Sequence, residues 1–300
     1  MSGHEKSRTV GTHTVGMASV DTKAVDTNTA GARTAGARTV GTGTVIGKIA
    51  AVLHAFTADD QRVTLAELGR RTGLSKGTLH RVVNDLVGIG LLDKSASGYR
   101  LGAQMFELGM RAPAERDLLE SATPYLEDLY ERTHETVHLG VRRGTDVVYV
   151  TKIGGHRQAP APSRVGGRMP LYCTAIGKAL IAGSAPELLG DVIAAGLVRR
   201  TRRTITDPDV LRTHLERVEH AGAAYEFEES TAGIVCVAAP VLDATGRPVA
   251  AISLMGPAGR FRPGSQAAAL RAGAAGVAAT LARRAHPEQL ARRTPRPTFR

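Results

Sequence analysis

His134-Glu135-Thr136-Val137-His138 spells H-E-x-x-H, the pattern in which two histidines one helical turn apart hold zinc and the glutamate acts as general base. That chemistry needs a helix. Here Thr136 and Val137 are β-branched and the run through Val141 alternates as a strand, which sets the histidines about 13 Å apart, too far to share a metal. Cys236 is a nucleophile by type, but it lies in an apolar run with no evident histidine partner, the setting of a buried or pocket-lining thiol. Ala175-Ile176-Gly177-Lys178 resembles the end of a phosphate-binding loop. It lacks the earlier glycine, and Ala179 stands where Ser or Thr would be needed. Glu228 and Glu229 would work as an acid pair only if they faced each other, and neighbours on a strand point apart. They read as one solvated and one structural carboxylate. No metal, cofactor or reaction is implied by these four features.

A second set of polar residues does converge. Ser75, Lys76, Gly77, Thr78, His80, Arg81 and Asn84 fall opposite an apolar stripe of Leu79, Val82, Val83 and Leu86 at helical spacing. Ser75 is placed to cap that helix, and Gly88 and Gly90 to stop it. Before it, Thr64 and Glu67 make the T-x-x-E of a capping box, and Thr72-Gly73 closes a short helix after about two turns. After it, LLDK and GYRL flank a Ser-Ala-Ser turn as a hairpin. Two short helices joined by a glycine turn, the second starting with small and basic residues, suit a DNA major groove, and the hairpin is the wing of a winged helix-turn-helix. The first turns of the second helix reach base edges or phosphates, and Tyr99 and Arg100 in the wing are assigned to the backbone or minor groove. A plain helical hairpin explains neither the polar face nor the wing.

Composition agrees with this. The 300 residues suggest two domains, 42% hydrophobic content supports real cores, and a net charge of +11 favours a polyanionic partner. No Trp and 4% aromatics argue against stacking on single-stranded nucleic acid. Two cysteines, Cys173 and Cys236, make no disulfide framework, so a cytoplasmic location is expected. No apolar run is long enough for a membrane span or a secretory signal, so no membrane partner is expected.

Residues 1–44 are a low-complexity Thr/Val/Gly/Ala stretch, expected to be disordered, and 286–300 a basic disordered tail. The winged domain is placed at 45–105 and a linker helix at 106–120. Thr123-Pro124 reads as the cap and first residue of a new helix running to about His134. Strands and helices then mix without strict alternation through 121–285, which argues for an α+β domain with an antiparallel sheet.

The run LSKGTLHRVVNDLVGIGLL resembles the first domain of the IclR family of bacterial transcription regulators. GRMPLYCTAIGKALIA and EESTAGIVCVAAPVLDATGRPVAAISLMGP resemble two stretches of that family's ligand-binding domain, and the likeness spans residues 45–285. The 44-residue front extension departs from the family pattern. The resemblance implies an N-terminal winged helix-turn-helix joined to a C-terminal GAF-like effector-binding domain. It implies a homodimer or homotetramer on a pseudo-palindromic operator, repressor action, and a small organic-acid effector. Carried onto this chain, the effector site comprises Ala175 and Ile176, whose backbone amides start a helix and favour a carboxylate, with Glu226, Ile234, Cys236 and Ser253 as walls. The bulk of Ala175-Ile176 implies a larger, more apolar acid than the two- or three-carbon acids some members take. The rival reading is a small-molecule enzyme whose N-terminal hairpin only serves assembly.

Overall fold

The computed structural model describes residues 43–154 and 162–285; the two terminal segments read above as disordered lie outside them except for Gly43 and Thr44. Three helices open the described chain: α1 (Val45–His54), α2 (Leu65–Thr72) and α3 (Lys76–Gly88). A two-stranded antiparallel wing follows, β1 (Leu92–Ser95) and β2 (Gly98–Leu101). Local chemistry sets these boundaries. Thr64 accepts from the Glu67 amide, as half of a capping box, but the Glu67 carboxylate turns outward to Arg70 and Arg71 instead of closing the other half. Gly73 ends α2 at φ +68°, a left-handed conformation that suits glycine. Ser75 caps α3 by position only, since its hydroxyl donates to Thr78 Oγ1. Val52, Leu68, Leu79, Val83, Leu86 and Leu92 form one core beneath these elements.

Two helices, α4 (Ala103–Met110) and α5 (Pro113–Thr133), lead into the second domain. The helix expected to begin at Pro124 begins at Pro113 and runs straight through, so the predicted 106–120 linker straddles α4 and the first third of α5. Proline inside a helix removes one amide bond. Here Thr123 Oγ1 bonds back to Leu119 O, and Leu118, Ala122, Leu126 and Leu129 keep a single buried stripe across the proline. Packing overrides the local stop signal.

The sheet of the second domain has six antiparallel strands in the order β5-β4-β3-β8-β7-β6. They are β3 (Thr136–Arg143), β4 (Asp146–Ile153), β5 (Arg168–Pro170), β6 (Ala224–Phe227), β7 (Ile234–Leu242) and β8 (Pro248–Pro257). Alternation sorts their side chains into two layers. Val137, Leu139, Val235, Val237, Ile252 and Leu254 pack on α5 and the closing helix α9 (Pro263–Ala285). The other face carries Cys236, Ala238, Ala251 and Met255, and it packs on α6 (Ala175–Ile181), α7 (Pro186–Ala194) and α8 (Pro208–Ala221). This is the expected α+β plan with an antiparallel sheet.

Candidate functional site

On α3, Ser75, Lys76, Gly77, His80 and Arg81 are exposed, while Leu79, Val82, Val83 and Leu86 are buried. Thr78 is half-buried. His80 shares a hydrogen bond of 3.1 Å with Asn84. Among the described residues no ion pair engages Lys76 or Arg81, so both cations are available to a polyanion. A Cβ added at Gly77 would meet nothing within 4 Å, so no packing inside the protein requires glycine there.

Tyr99 is a correction. It is 6% exposed and sits in the winged-domain core, with its backbone bonded in both directions to Val63. Alternation on β2 turns Tyr99 inward and Arg100 outward, where Arg100 pairs with Asp93 at 2.8 Å. The ring therefore packs into the core beneath the wing, while Arg100 faces outward.

In the second domain, all six residues assigned to the effector site line one cavity, between α6 and the sheet. Strand register explains why. Glu226 pairs with Cys236, and Cys236 with Met255, in one row across β6, β7 and β8. One pleat along, His138 on β3 pairs with Ser253 on β8. Ile234 lies on the same face of β7 as Cys236, and α6 closes the top with Ala175 and Ile176. A Cβ on Gly177 would fall 2.1 Å from Leu171 O, so only glycine lets α6 press this close. Thr174 caps α6 by accepting from Gly177 N at 3.1 Å. The free interior is small, about 30 Å³.

His138, Tyr149, Ser163, Met169 and Met255 also line the cavity and are not among the six residues assigned to it from the sequence. The H-E-x-x-H stretch is not one helix: His134 caps α5 at φ +51°, and His138 lies on β3. There His138 Nε2 meets Ser163 Oγ at 2.9 Å and Nδ1 lies 3.4 Å from Ser253 Oγ, with the ring tilted against Tyr149. Burial, with Lys152 nearby, holds its pKa down to about 3, so it is neutral at pH 7. The sequence signal for it is a polar residue on the same face of β3 as Gly140.

Glu226 accepts from the Glu229 amide and from the amide and hydroxyl of Ser230, each at 3.0 Å and all on Oε1. Burial raises its pKa to about 7 against the opposing pull of Ser230 and Lys178. Burial likewise pushes the Cys236 thiol up, which suits a wall and not a nucleophile. Lys178, the end of the loop-like A-I-G-K run, is buried and pairs with Glu229 at 2.6 Å. Glu228 and Glu229 do divide into a partly exposed and a buried carboxylate, although β6 ends at Phe227, before both.

A winged helix-turn-helix followed by a sheet domain with a small internal cavity is the architecture of a DNA-binding transcription regulator. Comparison with known proteins specifies it further. Residues 45–96 match the IclR helix-turn-helix domain, and residues 110–279 match the C-terminal domain of IclR bacterial transcriptional regulators. The chain belongs to the IclR family, whose members are transcriptional regulators and not enzymes. It is 33% identical over 217 residues to the regulator KdgR of Escherichia coli K12, covering 71% of this chain and 82% of KdgR. It is 31% identical over 211 residues to the glycerol operon regulatory protein of Streptomyces coelicolor, covering 70% and 83%. An IclR homologue of Microbacterium hydrocarbonoxydans, solved with 4-hydroxybenzoate, superimposes with TM-score 0.75 at 29% identity over 80% of this chain and 99% of its own. No helix among the described residues is long and apolar enough to cross a membrane.

Proposed function

We propose that this regulator is a cytoplasmic repressor that binds a pseudo-palindromic operator in double-stranded DNA, and that a small organic acid modulates its operator affinity. The observation that carries the effector reading is the cavity itself. Strand register brings Glu226, Cys236 and Ser253 against Ala175 and Ile176 around one small cavity. Helix amides at Ala175 and Ile176 and the hydroxyl of Ser253 supply donors for an acid group, with Ile234 and Cys236 as an apolar wall. The 4-hydroxybenzoate held by the Microbacterium homologue supports an aromatic or similarly apolar acid.

The DNA-reading role rests on α3, with Ser75, Lys76, Gly77, Thr78, His80 and Arg81 at the groove and Arg100 at the wing. Assembly into a homodimer, or a homotetramer of two such dimers, is supported by exposed apolar side chains on two helices near the winged domain. These are Val45 and Ile46 on α1, and Phe106, Leu108 and Met110 on α4. A two-fold pair would set two recognition helices about one DNA turn apart. The effector would act by favouring one arrangement of that pair.

The test is selection of bound genomic fragments with purified protein, followed by titration of the operator complex with a panel of organic acids. A fragment carrying an inverted repeat, released by at least one acid, is the expected result. Tight operator binding that no acid alters would leave the DNA-binding role standing and remove the sensing role.

A further inference from the structure

The organic-acid reading, on which this inference rests, leaves one group to explain. A cavity that accepts an anion is expected to present cations, yet no Lys or Arg lines this one among the described residues. It presents a carboxylate instead. Glu226 is 3% exposed; its Oε1 takes all three donors, from the Glu229 amide, the Ser230 amide and the Ser230 hydroxyl. Its Oε2 has no hydrogen-bond partner among the described residues.

Among the described residues, the surroundings do not neutralise this charge. From α6 comes Lys178, whose ammonium is committed to Glu229 at 2.6 Å, so that pair contributes little net charge. From β3 comes His138, held neutral by burial with Lys152 of β4 nearby, whose ammonium donates to Ser163 O at 3.1 Å. From β4 and β7 come the Tyr149 phenol and the Cys236 thiol, both kept protonated by burial, and Cys173 before α6 is the same. Arg200 reaches the back of the site only at Ser230 O, 3.4 Å away. His214 on α8, near Lys178, is held neutral by burial. Among the described residues a ligand carboxylate therefore meets an uncompensated carboxylate, and two such groups side by side resist ionising together.

We propose that Glu226 decides what the cavity accepts: a monocarboxylic acid is taken up together with one proton from solvent, which binds Glu226 Oε2 and is shared with the ligand's carboxylate. No other bond forms or breaks. The three donors on Oε1 fix the carboxyl so that the proton goes to the free oxygen. Burial has already brought the group close to protonation at neutral pH, so the uptake is mild. The consequence is twofold. A ligand with a second carboxylate is refused, and sensitivity to a carboxylate effector increases as pH falls.

Calorimetry on the full chain tests this with 4-hydroxybenzoate, pyruvate, succinate and the uncharged 4-hydroxybenzamide. We expect affinity for the monoacids to fall about tenfold per pH unit above pH 7 and to level off in acid. Buffers of different ionisation enthalpy should count one proton taken up at alkaline pH, a measurement that needs no variant. Glu226→Gln should flatten the profile and bind the monoacids at alkaline pH, its folding checked by operator binding without ligand. The amide should bind independently of pH, and succinate should not bind the wild type. Monoacid binding with no proton uptake, or with equal slopes in wild type and Glu226→Gln, overturns the proposal and leaves the organic-acid reading intact. Failure of every acid with both proteins, even in mild acid, overturns the organic-acid reading and this proposal with it.

Discussion

Lys178 and Glu229 meet as a buried ion pair, Nζ to Oε1 at 2.6 Å, joining the last turn of α6 to the loop after β6. Lys178 has no exposed surface, and Glu229 Oε2 has no partner among the described residues. The pair fixes the two segments that hold Ile176 and Glu226, one on each side of the cavity.

Breaking such a pair on one side strands a buried charge. Lys178→Met should cost about 3–5 kcal/mol in urea unfolding, whereas Lys178→Met with Glu229→Leu should recover most of it. Equal losses in the single and double variants would show that the pair's role is packing alone.

Glu226 and His138 should give the effector domain opposing pH slopes. The Glu226 pKa is raised from 4.5 to about 7, so its folded form holds its proton more tightly. Its contribution is complete below the unfolded pKa and is lost as pH rises through 7. The His138 pKa is lowered from 6.5 to about 3, so its contribution is present above 6.5 and is lost as pH falls toward 3. Thermal melts across this range should show the gap between wild type and Glu226→Gln shifting against wild type with rising pH. The gap to His138→Gln should shift the opposite way. Parallel melting curves for all three proteins would contradict both assignments.

The winged domain was legible because its signals are local: Thr64 before Glu67, Gly73 after α2, and the stripe from Leu79 to Leu86 each act within a few residues. Pro124 misled for the same reason. Its local meaning is a helix start, and only the packing of Leu118 through Leu129 on the sheet carries α5 past it. Tyr99 was assigned by its place in the wing, while strand parity against Val63 decides its direction. In the cavity, the six assigned residues came from family likeness. His138 and Tyr149 were missed because periodicity shows which side chains share a face but not which strands become neighbours. The long-range pairing of β3 with β8 brings His138 beside Ser253. The short strand β5 carries too little pattern to be seen at all.

Phe106 on α4 is 71% exposed in the single chain, with Leu108 and Met110 close by in sequence and also exposed. If α4 pairs two copies, Phe106→Glu should place a charge in that contact. Sedimentation should then shift toward monomer, with loss of cooperative operator binding and little change in melting temperature. An unchanged oligomer would move the pairing surface elsewhere.

Gly77 separates a role in DNA binding from one in folding. Glycine in a helix costs roughly 1 kcal/mol relative to alanine, and here no protein atom lies where the Cβ would go. Gly77→Ala should therefore stabilise the free protein by about 0.5–1 kcal/mol. If the helix start lies close against DNA, the same methyl should weaken operator binding. Gain of stability with unchanged operator affinity would mean that the glycine faces open solvent in the complex.

Arg81 and Lys76 should differ in kind, although both are exposed and without an ion pair among the described residues. Arg81 has the planar fork suited to a base edge, so Arg81→Ala should cost about 1–3 kcal/mol on the operator and much less on unrelated DNA. Lys76, at the first turn of α3, is placed for a phosphate. Lys76→Ala should weaken binding to all sequences alike and lower the slope of log affinity against log salt by about 0.9 per site contacted. Tyr99→Phe is the control: with its ring in the core, it should leave both operator affinity and salt slope unchanged. Gel-shift titrations at several salt concentrations on operator and scrambled DNA distinguish the three. A double Arg81/Lys76 alanine variant that binds the operator as tightly as wild type would remove α3 from the DNA interface.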